Sequence, residues 1–155
     1  MIEIRPAKIK DAPQIADLCM EMLRCHEPYS ELQGVRKDAR KRCEDYFRKV
    51  PRISKKKIYV AEDEGKLIGY CLGEIRRRPP IYTLREMAFV SDLAVTLRYQ
   101  RKGLGEELME KMFEWFKEKG LTYVDLHVAA QNEPAIAFYK KHMFQDTWRQ
   151  MYRKI

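Results

Sequence analysis

Gln100-Arg101-Lys102-Gly103-Leu104-Gly105 is the stretch on which the fold turns. Upstream, residues 86–95 read as a strand that ends in Asp92-Leu93-Ala94-Val95 and feeds the loop. Downstream, Leu104, Leu108, Met109, Met112, Phe113, Trp115 and Phe116 recur at the spacing of one wide helical face, closed by Lys117, Lys119 and the helix-stopping Gly120. A loop so placed aims unpaired backbone N–H groups and the positive end of a helix dipole at one spot, where a phosphate fits. Gly103 and Gly105 let the backbone approach an anion closely, and Arg101 and Lys102 add charge. Two other phosphate loops are excluded: GxxxxGK followed by Ser or Thr is absent, and the third glycine of GxGxxG is replaced by Leu108. On these residues alone, a plain glycine-bearing turn stays open beside a phosphate site.

The flanks extend the pattern. Ile2 and Ile4 alternate with polar neighbours before Pro6, which predicts a short first strand. Asp11 is expected to cap a helix whose apolar face is Ile15, Leu18, Cys19, Met22 and Leu23, and a second helix is predicted over 35–50, stopped by Pro51. Residues 57–61 and 66–75 read as an antiparallel hairpin turned by Glu62-Asp63-Glu64-Gly65. After the loop helix, 121–128 alternates, with Thr122, Val124, Leu126 and Val128 on one side and Tyr123, Asp125 and His127 on the other. Asn132 can cap a short helix with Pro134 in its first turn, and 143–155 is long enough for two final strands joined near Gln145-Asp146.

At 155 residues the chain has the usual size of one domain and no interdomain linker, so a single domain over 1–155 is expected. Its 31 basic against 23 acidic residues give a formal charge of +8, which suits nucleic acid, acidic protein or a polyphosphorylated cofactor without choosing among them. Arg76-Arg77-Arg78 precedes Pro79-Pro80 and reads as a solvated loop. Cys19, Cys25, Cys43 and Cys71 form no CxxC pair, and Cys19, Cys25 and His26 fit no common zinc spacing, so free thiols and no metal are expected. No stretch approaches the ~20 apolar residues of a membrane span, and the N-terminus does not read as a secretory signal. The expected location is cytoplasmic, with no membrane partner.

Gln100, Gly103 and Gly105 also fill a pattern of Gln or Arg, two residues, Gly, one residue, then Gly or Ala. Together with Leu93-Ala94-Val95 and the later Asn132-Glu133-Pro134-Ala135-Ile136-Ala137-Phe138-Tyr139, it closely resembles the GNAT superfamily of N-acetyltransferases, and the order of elements agrees along nearly the whole chain. The resemblance implies an α/β (α+β) fold: a mixed, mostly antiparallel sheet with helices on both faces, splayed between the fourth and fifth strands. It implies acetyl-CoA as cosubstrate, with the pantetheine arm along Leu93, Ala94 and Val95 and the pyrophosphate on the amides of Arg101, Lys102, Gly103, Leu104 and Gly105. Asn132 matches a position that contacts the cofactor, and Tyr139 the one that protonates the departing thiolate. Leu97 departs from the proline that many relatives carry after the strand.

Acetyl transfer to an amine needs a neutral nucleophile, a polarised thioester carbonyl and a protonated leaving sulfur. A backbone N–H near Leu93 or Ala94 suits the carbonyl, and a phenol of pKa ~10 at Tyr139 stays protonated to serve the sulfur. For the base, His127 aligns with a catalytic glutamate of some protein-acetylating relatives, with Asp92 and Glu86 as rivals; Asp92 can instead orient the substrate's ammonium group. The acceptor is a primary amine, on a protein N-terminus, a lysine or a small molecule. Asp92-Leu93 and Asn132-Glu133-Pro134 are similar to diamine acetyltransferases, but a polyamine pocket should be acidic and the chain is basic. A non-catalytic acyl-CoA sensor is the alternative in another class, and nucleic acid has no recognition motif here beyond charge. Many relatives pair through their terminal strands, which leaves a homodimer open.

Overall fold

The computed structural model describes residues 1–155 as β1 (Ile2–Pro6), α1 (Ala12–His26), α2 (Ala39–Lys49), β2 (Lys56–Asp63), β3 (Lys66–Arg77), β4 (Glu86–Val95), α3 (Leu104–Glu118), β5 (Val124–Leu126) and α4 (Glu133–Lys141). The five strands form one sheet in the order β1-β2-β3-β4-β5, antiparallel except for the parallel pair β4 and β5. Covering helices lie on both faces. On one, Ile15 and Leu18 of α1 and Phe47 of α2 pack on Val60, Tyr70 and Leu72; on the other, Leu108, Met112 and Phe116 of α3 pack on Cys71, Ala88 and Val90. The mixed, mostly antiparallel sheet expected from sequence is thus present. No helix is long and apolar enough to cross a membrane.

β3 is buried without a break from Leu67 to Gly73, as a strand covered on both sides must be. At Gly73 a Cβ would stand 2.3 Å from Met112 Sδ and 2.7 Å from Phe116 Cζ, so the missing side chain is what lets α3 lie close on the sheet.

Several boundaries differ from expectation. Asp11 precedes α1 but makes no side-chain cap to it. Its carboxylate instead accepts from Lys8 N–H at 2.7 Å and takes both Arg5 Nη atoms, at 2.7 and 3.1 Å, in a fork shared with Glu62. Burial pushes that carboxyl up, and these donors outweigh it, so Asp11 lies below its ordinary range. α2 starts at Ala39 rather than at 35, because Asp38 is held by Arg36 and Arg42 at the helix entrance. β5 keeps only three of the eight residues from 121 to 128: Thr122, Tyr123, His127 and Val128 are exposed, and a strand paired only through Ala88, Phe89 and Val90 has no second neighbour to extend it. Residues 143–155 adopt no regular element. The final strands expected there do not form, and Trp148, Met151 and Ile155 stand in solvent instead of on a partner strand.

Candidate active site

β4 and β5 pair only at Ala88–Val124, Phe89–Asp125 and Val90–Leu126. The register of β4 against β3 shifts between Leu72 and Gly73, which face Asp92 and Val90, so Ser91 is the extra residue of a bulge. Beyond it, β4 has β3 on one side and an open gap on the other. Thr96 N–H donates to Ile68 O at 2.9 Å across the β3 side. Two-residue alternation therefore turns the N–H groups of Leu93 and Val95 toward the gap and that of Ala94 away from it.

The glycine loop closes the end of this gap. Gln100 Nε2 donates to Val95 O at 2.7 Å and ties the loop back to the strand. Arg101 lies at φ 59 and Gly103 at φ 83, while Lys102 between them has negative φ. Such sign alternation turns successive N–H groups toward one concavity that holds an anion. The first intrahelical bond of α3 runs from Glu107 N to Gly103 O at 3.0 Å, so the N–H groups of Leu104, Gly105 and Glu106 remain free to join it. A Cβ on Gly103 would meet nothing within 4 Å. Its left-handed φ, not lack of space, is what favours glycine there.

α4 forms the opposite bank. Asn132 Oδ1 accepts from Ala135 N–H at 3.3 Å and caps the helix, with Pro134 in its first turn. Tyr139, half-buried, sits between Phe138 (ring centroids 5.3 Å) and Phe144 (5.5 Å), and Phe144 leans on Phe113 of α3 at 6.2 Å. Burial first, then the nearby Cys71 and Asp92, push the phenol up to about 12, so Tyr139 is a neutral donor at any ordinary pH.

Between these elements lies a cleft of about 640 Å³. Leu93 to Val95, Gln100, Arg101, Gly103, Gly105, Asn132 and Tyr139 all line it. Leu104 and Lys102 do not: Leu104 is buried in the core beneath α3, and Lys102 Nζ lies 5.6 Å over the Tyr99 ring. The remaining wall comes from α1 and the turn after it, through Met22, Cys25, His26 and Tyr29. Only the helical face of α1 was visible in the sequence; which part of that face would meet the loop is a tertiary fact with no local signal.

Asp92 and His127 lie outside this cleft. Asp92 is on the α1 side of β4, opposite Leu72, and accepts from the hydroxyl of the fully buried Tyr70 at 3.0 Å. Burial raises its carboxyl above the ordinary range, and the Tyr70 hydrogen bond opposes the rise without cancelling it. His127 is exposed just past β5, its ring edge-on to Phe89 at 5.1 Å. Asp92 is among the groups whose charge raises the Tyr139 phenol. Glu86 stands at the far end of β4, bound to Lys55 Nζ at 2.7 Å.

Residues 17–144, which contain every one of these features, match the acetyltransferase (GNAT) family model. Streptothricin acetyltransferase A of Bacillus subtilis is 33% identical over 93 residues, covering 56% of this chain and 52% of that protein. An N-alpha-acetyltransferase of Sulfurisphaera tokodaii is 32% identical over 94 residues, 57% of this chain and 56% of the relative. The chain thus spans about half the length of these curated relatives. A predicted acetyltransferase from Clostridium acetobutylicum, solved with acetyl-CoA, shares the fold with a TM-score of 0.80 at 20% identity, over 98% of this chain and 96% of that one. With its open β4 edge, alternating-φ glycine loop and capped α4, the chain belongs to the acetyltransferase (GNAT) family.

Proposed function

We propose that the protein is an N-acetyltransferase that moves an acetyl group directly from acetyl-CoA to a primary amine. The observation that carries this reading is the convergence on one cleft of an unpaired strand edge, an amide-rich loop and a protonated phenol. In this reading the pyrophosphate rests on the free amides from Arg101 to Gly105, and the pantetheine arm pairs with Leu93 and Val95 as a strand would. The Leu93 N–H holds the thioester oxygen as charge develops on it. Asn132 acts on the cofactor through the helix end that it caps.

The amine attacks the acetyl carbon, the new C–N bond forms, the C–S bond breaks, and the proton shed by the amine balances the sulfur. Tyr139 donates a hydrogen bond to that sulfur. A phenol near 12 is a weaker acid than an ordinary thiol of pKa ~8.5, so it stabilises the departing thiolate and relays the amine's proton rather than losing its own outright. Deprotonating a lysine-like ammonium at pH 7 costs roughly 4–5 kcal/mol, which makes a receiving group useful. Asp92 takes that place in preference to His127, since it directly precedes Leu93 on β4, whereas His127 stands past the end of β5 against Phe89.

Release of CoA thiol from acetyl-CoA over a panel of peptides, amino acids, polyamines and aminoglycosides tests the reading. Amine-dependent release is expected. Binding of acetyl-CoA with no release for any amine would replace it with a sensor.

A further inference from the structure

The sheet face that carries Asp92 continues outward along β3 and β4. Strand alternation places Glu74 and Arg76 of β3 and Met87 and Phe89 of β4 on the face of Tyr70, Leu72 and Asp92, and sends Ile75, Arg77 and Glu86 to the α3 side. Arg78 continues the same alternation past the end of β3, and its N–H donates to Arg85 O at 2.9 Å. The charge on this face changes sign along its length. Asp92 stands at the inner end. Glu74 is next outward and is taken up by two cations, Lys56 Nζ at 3.1 Å and Arg76 Nε at 2.5 Å.

Beyond Glu74 only cations follow. The Arg76 guanidinium lies 3.2 Å over the Phe89 ring, which also meets the His127 ring edge-on at 5.1 Å. Arg78 stacks on the exposed Tyr82 ring at 4.1 Å, and neither Arg78 nor Arg85 has a carboxylate partner, in contrast to Lys55, Lys56 and Arg76 beside them. One acid at the reacting end and unpaired guanidinium groups farther out make a track with a direction. At about 3.3 Å per residue, the path from Asp92 to the level of Arg76 is about four residues of an extended chain.

We propose that this face docks the acceptor, and that the acceptor is a peptide with a free N-terminal amine followed, from about its fifth residue, by acidic side chains. The proposal rests on the acetyl-transfer reading above. The terminal ammonium meets Asp92 and the acidic side chains meet Arg76, Arg78 and Arg85. A polyamine or an aminoglycoside is disfavoured by the same track, because its further cations fall on guanidinium groups that have no carboxylate to release. Nucleic acid fits less well than an acidic peptide, since it has no ammonium for Asp92 and the one exposed ring beside the arginines, Tyr82, is already stacked.

Two readouts keep docking and catalysis separable. Thiol release is measured with short peptides that share an N-terminal Ala and carry Glu, Gln or Lys from the fifth residue on. Binding of the labelled Glu peptide is followed by fluorescence anisotropy. A preference for Glu over Lys of at least about tenfold in kcat/KM is expected, shrinking as salt rises. In the Arg78→Glu/Arg85→Glu double variant the order of the Glu and Lys peptides should invert, with an unchanged melting curve showing that the fold is intact. Equal rates for the three peptides, or an unaltered preference in the folded double variant, overturn the proposal. So does a short RNA that displaces the labelled peptide more readily than the unlabelled Glu peptide does. If no amine releases thiol, acetyl transfer falls. Anisotropy then decides docking alone: binding lost in the double variant upholds it, and no binding to the wild type overturns it.

Discussion

The two banks of the β4 edge are built by different means. On the side proposed for the cofactor, the groups on offer are backbone: the N–H groups of Leu93 and Val95, and the free amides of the loop between Arg101 and Gly105. Across the sheet, on the side of Asp92, they are offered by side chains from separate elements, namely Tyr70 and Glu74 of β3, Phe89 and Asp92 of β4, and His127 after β5. A backbone site demands particular φ angles and so constrains residue type at fixed spacing. A side-chain site constrains nothing until the fold brings its parts together. The first kind of site therefore names a family, and the second is the one proposed to select the substrate.

The largest effect that separates the two banks is expected at Tyr139, the proposed donor at the cleft, whose phenol is raised by burial and by the nearby Cys71 and Asp92. Tyr139→Phe should lower kcat by about 10²-fold or more while acetyl-CoA affinity stays nearly constant. Steady-state thiol release and calorimetric titration of acetyl-CoA measure the two separately. Equal loss in both would make Tyr139 part of the cofactor's seat and shift the boundary between the banks.

Gly103 probes the backbone bank. Because nothing crowds its Cβ position, Gly103→Ala tests the left-handed φ alone, at about 1–2 kcal/mol. That corresponds to about a tenfold loss of acetyl-CoA affinity, with the peptide preference between Glu and Lys intact. A changed preference would mean that the two sides are coupled through α3.

The same division explains what could be read before folding. β4, the glycine loop and α3 were legible because strand, φ-restricted turn and amphipathic helix follow one another without interruption, and Asn132 caps α4 as its position suggested. Asp11 was misread because its place before a helix is the same for a cap and for a partner of Arg5, and only the approach of β1 distinguishes them. The alternation over 121–128 was real, but how far a strand runs depends on the neighbour that pairs with it, and β4 offers only three residues before it turns away. The part of α1 that walls the cleft, and the arginine track, gave no sequence signal. Arg76 to Arg78 reads in the sequence as a solvated loop, yet Arg76 and Arg77 end β3, and alternation sends Arg76 and Arg78 to one face and Arg77 to the other.

The smallest effects are expected from titration of Asp92, and their signs can be fixed in advance. Burial raises its carboxyl and the Tyr70 hydroxyl restrains the rise. If the ionised form receives the amine, kcat/KM falls as pH drops through this raised value, at a higher pH than the ordinary ~3.9. Asp92→Asn should abolish that limb and lower the plateau about tenfold, since a neutral amide still accepts a hydrogen bond from an ammonium group but does not attract its charge. Tyr70→Phe removes a donor that favours the carboxylate, so the limb should move to higher pH by less than about 1 unit, with little change in the plateau. Stability runs the opposite way. A carboxyl that binds its proton more tightly when folded makes the protein lose stability as pH rises from the unfolded to the folded value, and Asp92→Asn should flatten this slope in melting curves. A limb that stays in place in Tyr70→Phe would assign it to a group other than Asp92.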